Sequence, residues 1–154
     1  MGGLWEAYFI ADPDVAKDSN LEATLFARLL DLADDKLRST STAFPRHIRL
    51  HVDNATSEGK NNTMAQLLSL MVNRHHVATA KLSTFRVGHT HNNHDQRLSV
   101  VNTALTQADL LQTPTDFEEV VEDNVIATQH RPAHMEMVAT TRGWAKLCGR
   151  MPTQ

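Results

Sequence analysis

The chain has 154 residues, 41% hydrophobic and 21% charged, a balance that fits one globular domain with a real core and excludes wholesale disorder. No apolar run approaches the roughly 18 residues needed to span a membrane, and Met1-Gly2-Gly3-Leu4-Trp5-Glu6 lacks the basic-then-apolar pattern of a secretory signal. The single cysteine, Cys148, has no partner for an internal disulfide, so an intracellular, reducing compartment and no membrane partner are expected.

The net charge of −3 conceals an asymmetry. Residues 46–97 carry seven basic side chains (Arg46, Arg49, Lys60, Arg74, Lys81, Arg86 and Arg97) against three acidic ones (Asp53, Glu58 and Asp95), a local excess of +4 between segments in which acids predominate. Basic surroundings with embedded acids suit a polyanionic substrate held near a cation.

Leu4 to Ile10 is apolar and aromatic and predicts a strand, broken at Pro13. Ser19 or Asn20 is the expected N-cap of a helix reaching about Arg38, with Leu21, Leu25, Leu29 and Leu32 at helical spacing. Arg46 to Val52 alternates, with Ile48, Leu50 and Val52 on one side of a pleat, and predicts a strand that ends at Asp53. Met64, Leu67, Leu68 and Met71 form the apolar stripe of a second helix, with His75-His76 at its termination. A third strand is expected over Lys81 to Val87, and Gly88 permits a turn into a helix from about Asn92 to Leu111. Thr113, Pro114 and Asp116 open a fourth helix as N-cap, first position and first-turn acid. A short extended piece is expected near Met135 to Val138, and a helical turn around Trp144 to Leu147.

Strands alternating with helices predict an α/β sheet with helical crossovers. Ligands in such sheets collect at the carboxyl ends of strands. Asp53 follows one strand end, and the cluster Gly88-His89-Thr90-His91-Asn92-Asn93-His94-Asp95 follows another. A carboxylate just past a strand end is held by rigid backbone, and Mg2+ or Mn2+ prefers such oxygen ligands. Asp53 and Asp95 are therefore the candidate metal carboxylates. His91, four residues before Asp95, is placed to bind the metal, orient the acid or transfer a proton, and His89 is a further candidate ligand.

Gly88-His89-Thr90-His91 matches the closing metal motif of calcineurin-like metallophosphoesterases, but the Asp-x-His and Gly-Asn-His-Asp/Glu segments that should precede it are missing. A longer resemblance covers most of the chain. Asp53-Asn54 with Glu58-x-Lys60-Asn61, then Phe85-x-Val87-Gly88-His89-Thr90-His91, then Asp95-Gln96-Arg97 and Ser99, resembles a transposon-derived family of unknown function. Ala11-Asp12-Pro13-Asp14, Phe44-Pro45-Arg46 and the Trp144 region extend the likeness. That family is similar to ribonuclease H-like, DDE-type transposase and integrase cores. The resemblance implies a partial ribonuclease H-like fold over residues 1–128, with about three strands, helical crossovers and C-terminal helices, and residues 129–154 as an extension of the same domain. It implies divalent-metal phosphodiester chemistry on DNA, with Asp53 as the second acid of the triad and Asp95 a candidate for the third. Lys60, Arg97 and Asn54 would contact nucleic acid, and a nuclear location would follow.

The sequence departs from that pattern in two ways. The family's Glu-Asp after Gly-His-Thr-His is Asn92-Asn93 here, so an acid at that position has become an amide. The family's first acid sits on an earlier strand, in an Asp-Gly-Met-Asp-like segment, and nothing of that kind precedes Leu4. The expectation is an N-terminally truncated remnant with weak or no activity. Two other readings stay open from the residues: a non-catalytic module that binds nucleic acid through the basic middle segment, and a mononuclear metallohydrolase built on His89, His91, His94 and Asp95.

Overall fold

Helical and two-residue periodicities switch along the chain where Gly, Pro and polar turns intervene, and the elements follow those switches. The computed structural model describes residues 6–52, 62–84, 93–108, 111–123, 133–144 and 146. In order they form β1 (Glu6–Ala11), α1 (Ser19–Ser39), β2 (His47–Val52), α2 (Asn62–Asn73), β3 (Thr79–Thr84), α3 (Asn93–Gln107), α4 (Pro114–Val121) and β4 (Ala133–Val138). The fold is mixed α/β. The described strands make two two-stranded sheets, β1 with β4 and β2 with β3, both parallel.

The expected α/β class and helical crossover are present, and the described strands number four, in two parallel pairs, where about three are expected. Periodicity reports that a strand exists, not which strand it pairs with. The neighbour of β1 is β4, supplied by the segment read only as a short extended piece. The chain divides into two compact units, Met1–Asp14 with Gly88–Ala139, and Val15–Val87 with Thr140–Gln154. Among the described residues, no helix is long and apolar enough to cross a membrane.

In the unit built on Val15–Val87, β2 and β3 pair from His47↔Thr79 to Val52↔Thr84. A parallel pair cannot be closed by a tight hairpin, and α2 is the crossover between its strands. The apolar stripe of α2 buries Met64, Leu67 and Leu68 against Ala23 and Phe26 of α1, with Leu50, Met71, Ala80 and Leu82 packed around them. The stripe of α2 is the one its sequence spacing predicts. The core face of α1 is so only in part: Leu21 of the expected stripe is buried, but the packed cluster runs through Ala23, Phe26 and Leu30 instead of through Leu25, Leu29 and Leu32. A leucine-rich helix carries two overlapping sets at i, i+3, i+4 and i+7, and the large Phe26 decides between them.

Asp18, not Ser19 or Asn20, caps α1. Its carboxylate accepts from the backbone N–H groups of Asn20 and Leu21 at 2.9 and 3.1 Å, and from the Asn20 side-chain amide at 3.1 Å. A carboxylate takes two orphan donors at once and meets the positive end of the helix dipole. Both α1 and α2 then end on a residue in the left-handed region, Ser41 (φ 54°) and His75 (φ 58°). In each case paired return hydrogen bonds close the last turn, Thr42 N–H to Leu37 and Ser41 N–H to Arg38 for α1, His76 N–H to Met71 and His75 N–H to Val72 for α2. His75-His76 is thus a helix terminator, as its position in the sequence predicts.

In the other unit, β1 and β4 run in register from Glu6↔Ala133 to Ala11↔Val138. Val101 of α3 and Val121 of α4 are buried with Tyr8, Leu105, Phe117 and Met135 around them. α4 opens as its sequence predicts. The Thr113 hydroxyl accepts from Asp116 N–H at 3.2 Å, and the Asp116 carboxylate accepts from Thr113 N–H at 2.8 Å and Gln112 N–H at 2.9 Å, with Pro114 at the first helical position.

The hydrogen bond from Leu21 N–H, followed by that from the Asn20 side chain, holds the Asp18 carboxyl below its ordinary range. A depressed carboxylate contributes stability that is present above its unfolded value and lost as pH falls through the folded one. Asp18→Ala is expected to destabilise the protein by about 1 kcal/mol at neutral pH. Chemical denaturation should show the deficit shrinking as pH falls below the usual carboxylate range; a deficit that is constant down to strongly acidic pH would contradict the cap.

Candidate functional site

Parallel register places the carboxyl ends of β2 and β3 side by side, with Val52 opposite Thr84. The next residues in the chain are Asp53 and Phe85. Asp53, Asn54 and Lys60, and likewise His89 and His91, lie outside the described residues. Asp95 and Arg97 belong to the first turns of α3, and their side chains are also outside the described set. Among the described residues, no group of three or more His, Cys, Asp or Glu side chains is gathered as a metal would require.

A second feature of β2–β3 is its outward face. The alternation that sends Leu50 to the core leaves His47, Arg49 and His51 exposed, and register sets them beside Thr79, Lys81 and Ser83. His47 Nδ1 lies 2.8 Å from the Thr79 hydroxyl, and His51 Nδ1 lies 3.1 Å from the Ser83 hydroxyl, which also donates to the Leu50 carbonyl at 3.3 Å. Sequence reasoning took Arg49 only as one of several basic residues. The signal that singles it out is the His-x-Arg-x-His alternation, given a parallel neighbour carrying Thr-x-Lys-x-Ser.

Residues 3–152 match the model of a domain of unknown function, DUF7869. The chain belongs to the DUF7869 family. Both compact units therefore lie within one family domain. No curated protein and no solved structure matches the chain.

This DUF7869 domain also has a groove of about 520 Å3 between α1, α2 and the Trp144 segment, with Leu30, Leu67, Met71 and Trp144 on its apolar walls. Charges line it as well. Arg38 pairs with Asp34 at 2.8 Å, and the Arg142 guanidinium lies 5.8 Å over the Trp144 ring. The groove owes its far wall to one hydroxyl. Thr24 Oγ1, buried in α1, donates to the Asn20 carbonyl at 2.7 Å and accepts from Arg142 N–H at 3.0 Å and Trp144 Nε1–H at 3.1 Å. Thr24→Val keeps the shape and removes all three bonds. It should cost about 1–3 kcal/mol, because two donors lose their acceptor, whereas Thr24→Ser should retain most of the stability. Denaturation of the three proteins checks this; equal stability of the Val variant and the native chain would show that the hydroxyl does not hold the wall.

Proposed function

We propose that this domain derives from a ribonuclease H-like, DDE-type core and retains weak divalent-metal-dependent phosphodiester chemistry. The observation that carries this reading is the parallel register of β2 and β3, which ends both strands at one edge immediately before Asp53 and the segment leading to the Gly88–Ser99 motif. Strand ends in α/β sheets are where catalytic carboxylates are held by rigid backbone.

In this reading, Asp53 and Asp95 are the metal carboxylates, and His91 and His89 support them. The donor chemistry fits: carboxylate oxygens suit Mg2+ or Mn2+, and Mn2+ also accepts imidazole. When bound, such an ion would neutralise charge on the scissile phosphate and lower the pKa of a coordinated water. Lys60, Arg97 and Asn54 would bind and orient the phosphate backbone of DNA. Asn92 and Asn93 stand where the resembling family has Glu and Asp. A neutral amide is a poorer ligand for a hard cation than a carboxylate, and this is the chemical reason to expect weak turnover.

The test is metal-dependent cleavage of a DNA duplex by the 154-residue chain. Slow cleavage is expected with Mn2+ or Mg2+, abolished by a chelator and by Asp53→Ala. The double variant Asn92→Glu/Asn93→Asp should raise the rate roughly tenfold or more, the scale on which the groups around a metal site alter its affinity and activity. Cleavage untouched by Asp53→Ala, or no cleavage by either the native or the double-variant chain, would overturn the proposal.

A further inference from the structure

We propose that the exposed face of the β2–β3 sheet is a phosphate-binding surface that docks a nucleic-acid backbone without reading its sequence. This adds a second binding surface to the reading above and rests on it only for the nature of the substrate, since its residues are different. All-parallel sheets ordinarily have both faces covered. Here α1 and α2 cover one face, and the other presents His47, Arg49, His51, Thr79, Lys81 and Ser83, five of them exposed and Ser83 half-buried.

The composition of that face selects the occupant. Six neighbouring side chains include two permanent cations, two imidazoles and two hydroxyls, and no carboxylate. Arg49 and Lys81 are direct cross-strand partners. Like charges opposite one another destabilise a sheet, and among the described residues no carboxylate pairs with either. An anion on the face would turn that repulsion into joint attraction. Same-face residues recur about every 6.6 Å along a strand, so the donors form two adjacent rows instead of a single pocket. Arg, Lys, Ser and Thr are the donors that hold phosphate oxygens. Among the described residues of this face none is Phe, Tyr, Trp or aliphatic, so it presents no large apolar anchor for a protein partner or a membrane. The occupant that fits is a repeating phosphate backbone, contacted through charge and hydroxyl groups alone.

Fluorescence anisotropy of a labelled DNA duplex with the full chain, in EDTA and across a salt series, tests this apart from any metal chemistry. The double variant Arg49→Ser/Lys81→Ser is expected to bind roughly tenfold more weakly at low salt and to flatten the log K against log salt slope by about 1.8, the release of two phosphate contacts. Lys17→Ser, at an exposed lysine in the segment before α1, should change neither quantity, and a scrambled duplex should bind as well as the first. Arg49→Lys should preserve the slope, and no variant should melt below the native chain, with the double variant melting at or slightly above it because the cross-strand repulsion is gone. An absence of duplex binding, a double variant that binds like the native chain, an equal loss in Lys17→Ser, or tighter binding of polyglutamate than of the duplex would overturn the proposal. The last result would assign the face to an acidic protein.

Discussion

The β2–β3 unit rests on parallel strand pairing and on what such pairing demands. Two parallel strands cannot be joined by a short turn, so the chain must leave the sheet, cross over and return. Between β2 and β3 the crossover is α2, and its buried stripe of Met64, Leu67 and Leu68 makes the return favourable by covering Leu50, Ala80 and Leu82. Without that apolar layer, an isolated two-stranded sheet is marginal at best. The helix ends serve the same purpose. Asp18 starts α1 and Ser41 and His75 turn the chain sharply out of α1 and α2, which fixes where each strand begins.

Two chemically distinct surfaces follow from this one pair of strands. The edge at Val52 and Thr84 is where the chain passes into Asp53 and towards the histidine-rich motif. The outward face carries Arg49 beside Lys81, flanked by the hydroxyl–imidazole pairs of His47 with Thr79 and His51 with Ser83. A sheet selected for stability alone would place opposite charges across the strands. The two faces thus differ in chemistry: one carries the apolar side chains that hold the unit together, and the other carries two adjacent cations.

What the sequence reveals depends on whether the signal is local. The capping box of α4 lies within Thr113–Asp116, and structure and sequence agree on it. The stripe of α2 is equally local. The cap of α1 was one residue away from the expected serine, because an acidic side chain competes for the same two N–H groups and wins. The core face of α1 is legible only at Leu21, because leucines crowd the helix and Phe26, packed with Met64, Leu67 and Leu68, belongs to a stripe that spacing alone does not select. Non-local facts were the least legible. Nothing near Glu6–Ala11 announces that its partner is Ala133–Val138. The pairing of Arg49 with Lys81 also needs a register that no single segment encodes. Of the candidate site, the strand end before Asp53 was legible as an alternating run that stops at a carboxylate, whereas the positions of Asp53, His89 and His91 lie outside the described residues.

The central claim is that a divalent cation is held at the carboxyl edge of β2 and β3, next to Asp53. Paramagnetic line broadening by Mn2+, read on the backbone amides of the isotopically labelled full chain, tests it most directly. Substoichiometric Mn2+ should broaden the amides of Val52 and Thr84 first, and Asp53→Asn should remove the effect. Broadening that is unselective, that centres on the His47–Thr79 end of the sheet, or that survives Asp53→Asn would contradict the account.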